Sequence, residues 1–188
     1  MFKILTDGCE PKKATKYSCA VDVFSAKDVN IEAGETETIP LGIALDIDAL
    51  FFRWYGISLE EAKATPKEAK GILINPHGAI LSSWDNFLAT HYIQLAPRSS
   101  LRAKGLISGQ GYIDIDYKDE IKMIIHNPLI VKYEQSFGTG GLVECDNTFE
   151  IKKGDKIGQI LLLEHMTFSF GIKTETIRSG GIGSTRDK

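Results

Sequence analysis

Residues 111–125 read GYIDIDYKDEIKMII. From Ile113 to Tyr117 apolar and polar side chains alternate one by one, which is the period of a strand with one face on a core. The alternation predicts that Asp114 and Asp116 share a face, about 7 Å apart along the strand. A second strand-like run, EIKMII (120–125), follows directly. Working outward, CAVDVFSA (19–26), ETIPLGIALDI (37–47), THYIQLAP (90–97) and KIGQILLLE (156–164) are also short, rich in Ile, Val, Leu, Tyr and Thr, and bounded by turn residues. Strands without alternating helices predict an all-β sandwich or barrel.

One stretch departs from this pattern. Between Asp48 and Thr90, Ser58 with Glu61 reads as a capping box, and Thr65, Pro66, Glu68 and Gly71 supply a second start and a stop, predicting two short helices. Both tryptophans, Trp54 and Trp84, fall here with Phe51, Phe52, Tyr55 and Phe87. These aromatics either seal the helices against the sheet or form a surface for a protein partner.

Composition narrows the function. The 188 residues carry 22 Lys+Arg against 25 Asp+Glu, a net charge of −3, so nucleic-acid or membrane binding through bulk charge is not expected. No apolar run reaches the roughly 18 residues of a membrane span, and MFKILTDGCEPKK lacks the apolar segment of a signal peptide. Cys9, Cys19 and Cys145 are scattered and odd in number, arguing against a zinc site or a disulfide framework, and the expected location is cytoplasmic. The histidines, His77, His91, His126 and His165, lack metal-ligand spacing.

Three segments can carry chemistry. RSGGIGSTRDK (178–188) offers main-chain N–H groups in glycine-rich turns with hydroxyls and arginines beside them, a combination suited to an anion; too little chain follows for a Walker loop or a dinucleotide fingerprint. PRSSLRAKG (97–105) places Arg98 before two hydroxyls, which suits a phosphate. The Asp114/Asp116 pair suits a metal or a general base, although the same triplet at Asp46–Asp48 shows that the spacing alone is not specific.

Taken in order, CAVDVFSA, PRSSLRAKG, GYIDIDYKDEI, GDKIGQILLLE and RSGGIGST resemble motifs one to five of the trimeric dUTP diphosphatases (dUTPases). The resemblance implies one jelly-roll-like β domain over residues 1–188 with insertions at 48–90 and 134–147 and a glycine-rich tail at 174–188. It also implies a homotrimer with shared active sites, and Mg²⁺-dependent hydrolysis of dUTP to dUMP and pyrophosphate. On the same basis Asp114 is the catalytic carboxylate, and Gly111, Tyr112, Ile113 and Lys122 surround the uracil. Tyr117 lies under the deoxyribose and excludes a 2′-hydroxyl. Arg98, Ser99, Ser100 and Gln159 hold phosphates, and Asp22 meets the metal through water. Arg178, Ile182, Gly183 and Ser184 belong to the closing tail, with Ile182 where the family has an aromatic and Arg178 one residue nearer the glycines than usual. Asp119 and Ala20 replace family glycines. A dCTP deaminase relative is the nearest alternative, but its catalytic glutamate would fall at Ile124; a regulatory trimer acting through 48–90 is the other.

Overall fold

The computed structural model describes residues 1–57, 72–74, 80–128, 132–135, 142–145 and 147–171. The first strands are β1 (Phe2–Ile4), β2 (Lys12–Lys13), β3 (Val21–Phe24), β4 (Val29–Ile31), β5 (Thr36–Pro40) and β6 (Ile43–Leu45). Helix α1 (Ile47–Trp54), β7 (Ile72–Ile74), β8 (Ile80–Ser83) and α2 (Trp84–Thr90) follow. Then come β9 (His91–Pro97), α3 (Ser99–Ala103), β10 (Gly111–Asp114), β11 (Lys122–His126), β12 (Lys132–Gln135), β13 (Leu142–Cys145), β14 (Phe149–Ile151) and β15 (Lys156–Glu164), with a 3₁₀ turn at Thr167–Phe170.

A five-stranded antiparallel sheet in the order β10-β9-β15-β3-β2 forms one layer. Its inner face carries Ile93, Leu95, Ile160 and Val23, all buried. The pairs β11·β5, β1·β6 and β14·β4 lie opposite, contributing Met123, Ile125, Ile39, Ile43, Ile31 and Ile151 to the same core. Gly158 leaves no room for a side chain: a Cβ there would sit 3.0 Å from Val23 Cγ2 on the neighbouring strand and 3.1 Å from Met123 Sδ of the opposite layer. The expected all-β architecture is therefore present.

Three local expectations change. The run 37–47 is not one strand, because Gly42 turns the chain at φ +66°, accepts from the Leu5 and Thr6 N–H groups, and donates to Glu120 Oε1 at 2.9 Å. A Cβ at Gly42 would lie 2.7 Å from Thr6 Cβ, so only glycine fits. The run 111–117 leaves the ladder after Asp114, and β10 and β11 pair with β9 and β5 instead of with each other. Burial of Ile115, Tyr117 and Ile121 drives this crossing between layers. The Asp46–Asp48 triplet is no strand: Asp46 caps α1, its Oδ1 accepting from Ala49 N at 3.2 Å, and Asp48 sits in the first turn. The caps expected at Ser58 and Thr65 lie outside the described residues.

The helix pair packs through aromatic edges. Ile47, Leu50, Phe51 and Trp54 recur at helical spacing, and fully buried Phe51 meets Trp84 and Phe87 with centroids 5.2 and 5.4 Å apart. Below them His91 is buried at the start of β9, between Trp54 at 4.9 Å and Phe87 at 4.4 Å. Its Nδ1 reaches Thr90 Oγ1 and the Phe87 carbonyl, and its Nε2 lies 3.4 Å from Glu164 Oε1.

Burial holds the His91 pKa below the usual imidazole value, outweighing the Phe87 carbonyl and Glu164 carboxylate that favour the cation. The unfolded chain takes up this proton near pH ~6.5 while the folded chain resists it, so His91 makes stability fall as pH drops through that value, until the folded pKa is reached. Urea unfolding at pH 7.5 and 5.5 should show this loss, at no more than about 1.4 kcal/mol per pH unit. The His91→Asn variant, less stable at pH 7.5, should show a correspondingly smaller slope.

Candidate functional site

The outer face of the five-stranded sheet carries one row set by register: Ala96 of β9, Gln159 of β15, Asp22 of β3 and Lys12 of β2. Val21 and Val23 point to the core, so strand alternation sends Asp22 outward, yet it is only 1% exposed because cationic side chains close over it. Arg98 Nη1 lies 2.6 Å from Asp22 Oδ1, and Lys156 Nζ lies 3.3 Å from Oδ2. Gln159 Nε2 donates to Oδ1 at 3.1 Å.

Each partner is delivered by backbone. Arg98 follows the last residue of β9 and caps α3 with extended φ −70° and ψ 144°, its N–H on the Ile157 carbonyl. Ser99 and Ser100 open α3 beside it and are exposed. Lys156 begins β15, and an irregularity between Lys156 and Gly158 shifts the register there.

Burial alone raises the Asp22 pKa, but the hydrogen bonds from Gln159 and Lys156 and the charges of Arg98 and Lys156 outweigh it, leaving the carboxyl below its usual range and ionised. One hydrogen bond and two ion pairs on one carboxylate hold Gln159, Arg98 and Lys156 at the rim, two of them cationic. The arrangement suits a polyanion laid across the sheet face.

Asp22, Arg98 and Gln159, with Ser99 and Ser100 adjacent, are thus brought together, and Asp114 is not among them. Asp114 is in register with Tyr92 on β10, four residues along β9 from Ala96. At about 3.3 Å per residue and 4.8 Å per strand, it stands roughly 20 Å from Asp22. It is exposed, as is Tyr112, whereas Gly111 and Ile113 are partly covered. Among the described residues strand β10 is the sheet edge, so one row of its main-chain groups points away from β9. Tyr117 is buried, its Oη donating to the Glu120 carbonyl at 3.3 Å and its N–H to the Asp114 carbonyl at 3.1 Å. Lys122 is exposed at the start of β11. Arg178, Ile182, Gly183 and Ser184 lie outside the described residues. Sequence reasoning passed over Lys156, although its place three residues before Gln159 in GDKIGQ was visible.

Among the described residues no cluster of three or more His, Cys, Asp and Glu side chains could hold a metal, and no helix is long and apolar enough to cross a membrane. Both Asp22 oxygens already meet cations, so direct ligation of a metal does not fit this carboxylate.

No family model matches the chain. It is 31% identical over 184 residues to the deoxyuridine 5′-triphosphate nucleotidohydrolase of Candida glabrata, covering 95% of this chain and 89% of that protein. The protein of the same name from Rickettsia akari is 28% identical over 184 residues, covering 95% and 88%. A mutant dUTPase from phage phi11 of S. aureus, whose structure concerns the coordination of a structural Mg(II) ion, superposes with a TM-score of 0.56 at 18% identity, covering 96% of this chain and 97% of that one. That likeness bears on the fold and supports the jelly-roll-like sandwich.

Replacing the buried carboxylate tests the cluster. Asp22→Asn should cost about 1–3 kcal/mol in urea unfolding at pH 7, because it strands Arg98 and Lys156 without their counter-charge. The depressed pKa means that wild type holds this advantage above the unfolded carboxylate pKa of ~4 and loses it as pH falls through the lower folded value. The two proteins should therefore converge in acid.

Proposed function

The chain belongs to the deoxyuridine 5′-triphosphate nucleotidohydrolase (dUTPase) family, and from that premise we infer that it hydrolyses dUTP to dUMP and pyrophosphate. The observation that carries the reading is the buried Asp22 carboxylate holding Arg98 and Gln159 at the rim of the sheet. With Ser99 and Ser100, these groups take the phosphates and stabilise charge that moves onto the leaving pyrophosphate.

The uracil lies along the free edge of β10. Its pairing edge offers acceptor, donor, acceptor, which main-chain groups at Gly111, Tyr112 and Ile113 and near Lys122 match because β10 and β11 are not paired to each other. Cytosine leaves such groups unpaired and is rejected by as much as ~10⁴-fold. Tyr117, held beneath the Asp114 turn, supports the deoxyribose and leaves no room for a 2′-hydroxyl. Asp114 orients a water and takes its proton as the oxygen attacks the α-phosphorus in line.

Asp114 cannot do this for the phosphates on its own chain, because roughly 20 Å separates it from Asp22. A homotrimer resolves the geometry by bringing the β10 edge of one subunit to the Arg98 cluster of the next, with the tail bearing Arg178, Ile182, Gly183 and Ser184 closing the site. Asp22 would meet Mg²⁺ through water, and the ion, held mainly by the triphosphate, would supply further neutralisation of phosphate charge. The deaminase alternative finds no carboxylate where it needs one: Ile124 is half exposed on β11.

Pyrophosphate release should be fast from dUTP and weak from UTP and dCTP, and Asp114→Asn and Arg98→Ala should each be inactive. Co-refolding the two variants in equal amounts should restore about a quarter of wild-type activity, since each shared site needs one intact residue from each of two subunits. No recovery would place each site within one chain.

A further inference from the structure

Residues 118–121 carry the chain from Tyr117 to strand β11, and the family pattern has a glycine where Asp119 stands. Among the described residues no non-glycine residue has positive φ, so the left-handed turn that a glycine permits does not shape this loop. Lys118 and Asp119 are exposed, so core packing does not fix it either.

Glu120 supplies the anchor. Its Oε1 accepts from the Gly42 N–H at 2.9 Å, reaching the turn between β5 and β6. Main-chain bonds continue the seam, from Leu41 N–H to the Ile121 carbonyl at 2.9 Å and from Ile121 N–H to the Ile43 carbonyl at 2.8 Å. Gly42 is itself immobilised: its carbonyl accepts from the Leu5 and Thr6 N–H groups at 2.8 and 3.1 Å, and Thr6 and Cys9 crowd the space where a side chain would begin. The carboxylate is therefore tied to backbone that has no room to follow it. From Glu120 the link returns to Tyr117, whose Oη donates to the Glu120 carbonyl at 3.3 Å while its N–H donates to the Asp114 carbonyl at 3.1 Å. The ring is buried and is held at both ends, by the Asp114 turn and by residue 120.

We propose that Glu120 is a positioning residue for Tyr117: its carboxylate, bonded to Gly42, fixes the loop that holds the tyrosine hydroxyl, and so sets how strictly a 2′-hydroxyl is excluded. The proposal rests on the dUTPase reading, in which Tyr117 supports the deoxyribose. Glu120 meets no reacting atom, and its loss lets the ring yield to a ribose while the groups assigned to phosphate and uracil stay in place.

The test measures pyrophosphate release from dUTP and UTP. Glu120→Ala should lower the preference in kcat/KM for dUTP over UTP roughly tenfold, the scale on which a pocket rejects one small added group, with kcat for dUTP nearly unchanged. Glu120→Gln, whose side-chain carbonyl can accept from the same Gly42 N–H, should keep the wild-type preference. A merely structural role would shrink the active fraction for both nucleotides alike, so an unmoved ratio in Glu120→Ala would overturn the proposal, as would a Glu120→Gln variant that behaves like Glu120→Ala. Should Glu120→Ala not fold, Tyr117→Phe decides, because it keeps the ring and severs its bond to the Glu120 carbonyl; a relaxed ratio supports the proposal and an unchanged one overturns it. Wild-type protein that released no pyrophosphate from dUTP would instead remove the reading beneath it.

Discussion

The structure depends at its working face on one buried carboxylate. An aspartate on the outer face of a sheet is ordinarily solvated; Asp22 is covered, and its burial is tolerated because Arg98, Lys156 and Gln159 converge on it. These contacts join the end of β9 to β3 and β15, so the carboxylate that orders this end of the sheet also fixes two cations and an amide at its rim. Under the proposed function, stability and phosphate binding are coupled through shared atoms at Asp22.

Register is the second constraint, and it keeps the Asp22 cluster and Asp114 apart. Antiparallel pairing places residues at fixed intervals, and the interval between Asp114 and Gln159 is set by the run of β9 between Tyr92 and Ala96. No side-chain rearrangement shortens it. Under the proposed function, the β10 edge that completes the Asp22 cluster comes from another copy of the chain, each subunit supplying the part that its neighbour lacks.

Much of this was legible in residues. Alternation in 111–117 and the motif order pointed to strands and to Asp22, Arg98 and Gln159, whose contact the structure supplies. Pattern alone could not distinguish the two Asp-Ile-Asp triplets: Asp46 is followed by an apolar helical repeat and becomes a cap, while Asp114 ends a strand whose next residues are drawn into the core. The box signals at 58–71 lie outside the described residues, while the helices described at 47–54 and 84–90 carry no such box and are held by aromatic packing around Phe51. Lys156 was passed over because its tie to Asp22 crosses from β15 to β3, a relation between strands and not along one.

Net charge illustrates the same gap between list and arrangement. A chain with a charge of −3 argues against an anionic ligand only if its charges are spread evenly. Here Asp28, Glu150 and Asp155 gather around the turn before β15 and engage Lys152 and Lys153. That segregation leaves Lys156, three residues after Lys153, free of those acids and directed to Asp22. The turn therefore does more than connect strands: by drawing carboxylates to one side, it lets the sheet face beside it remain cationic. A substrate that carries its negative charge in a row is matched to such a face by the spacing of strands, with no need for a basic protein.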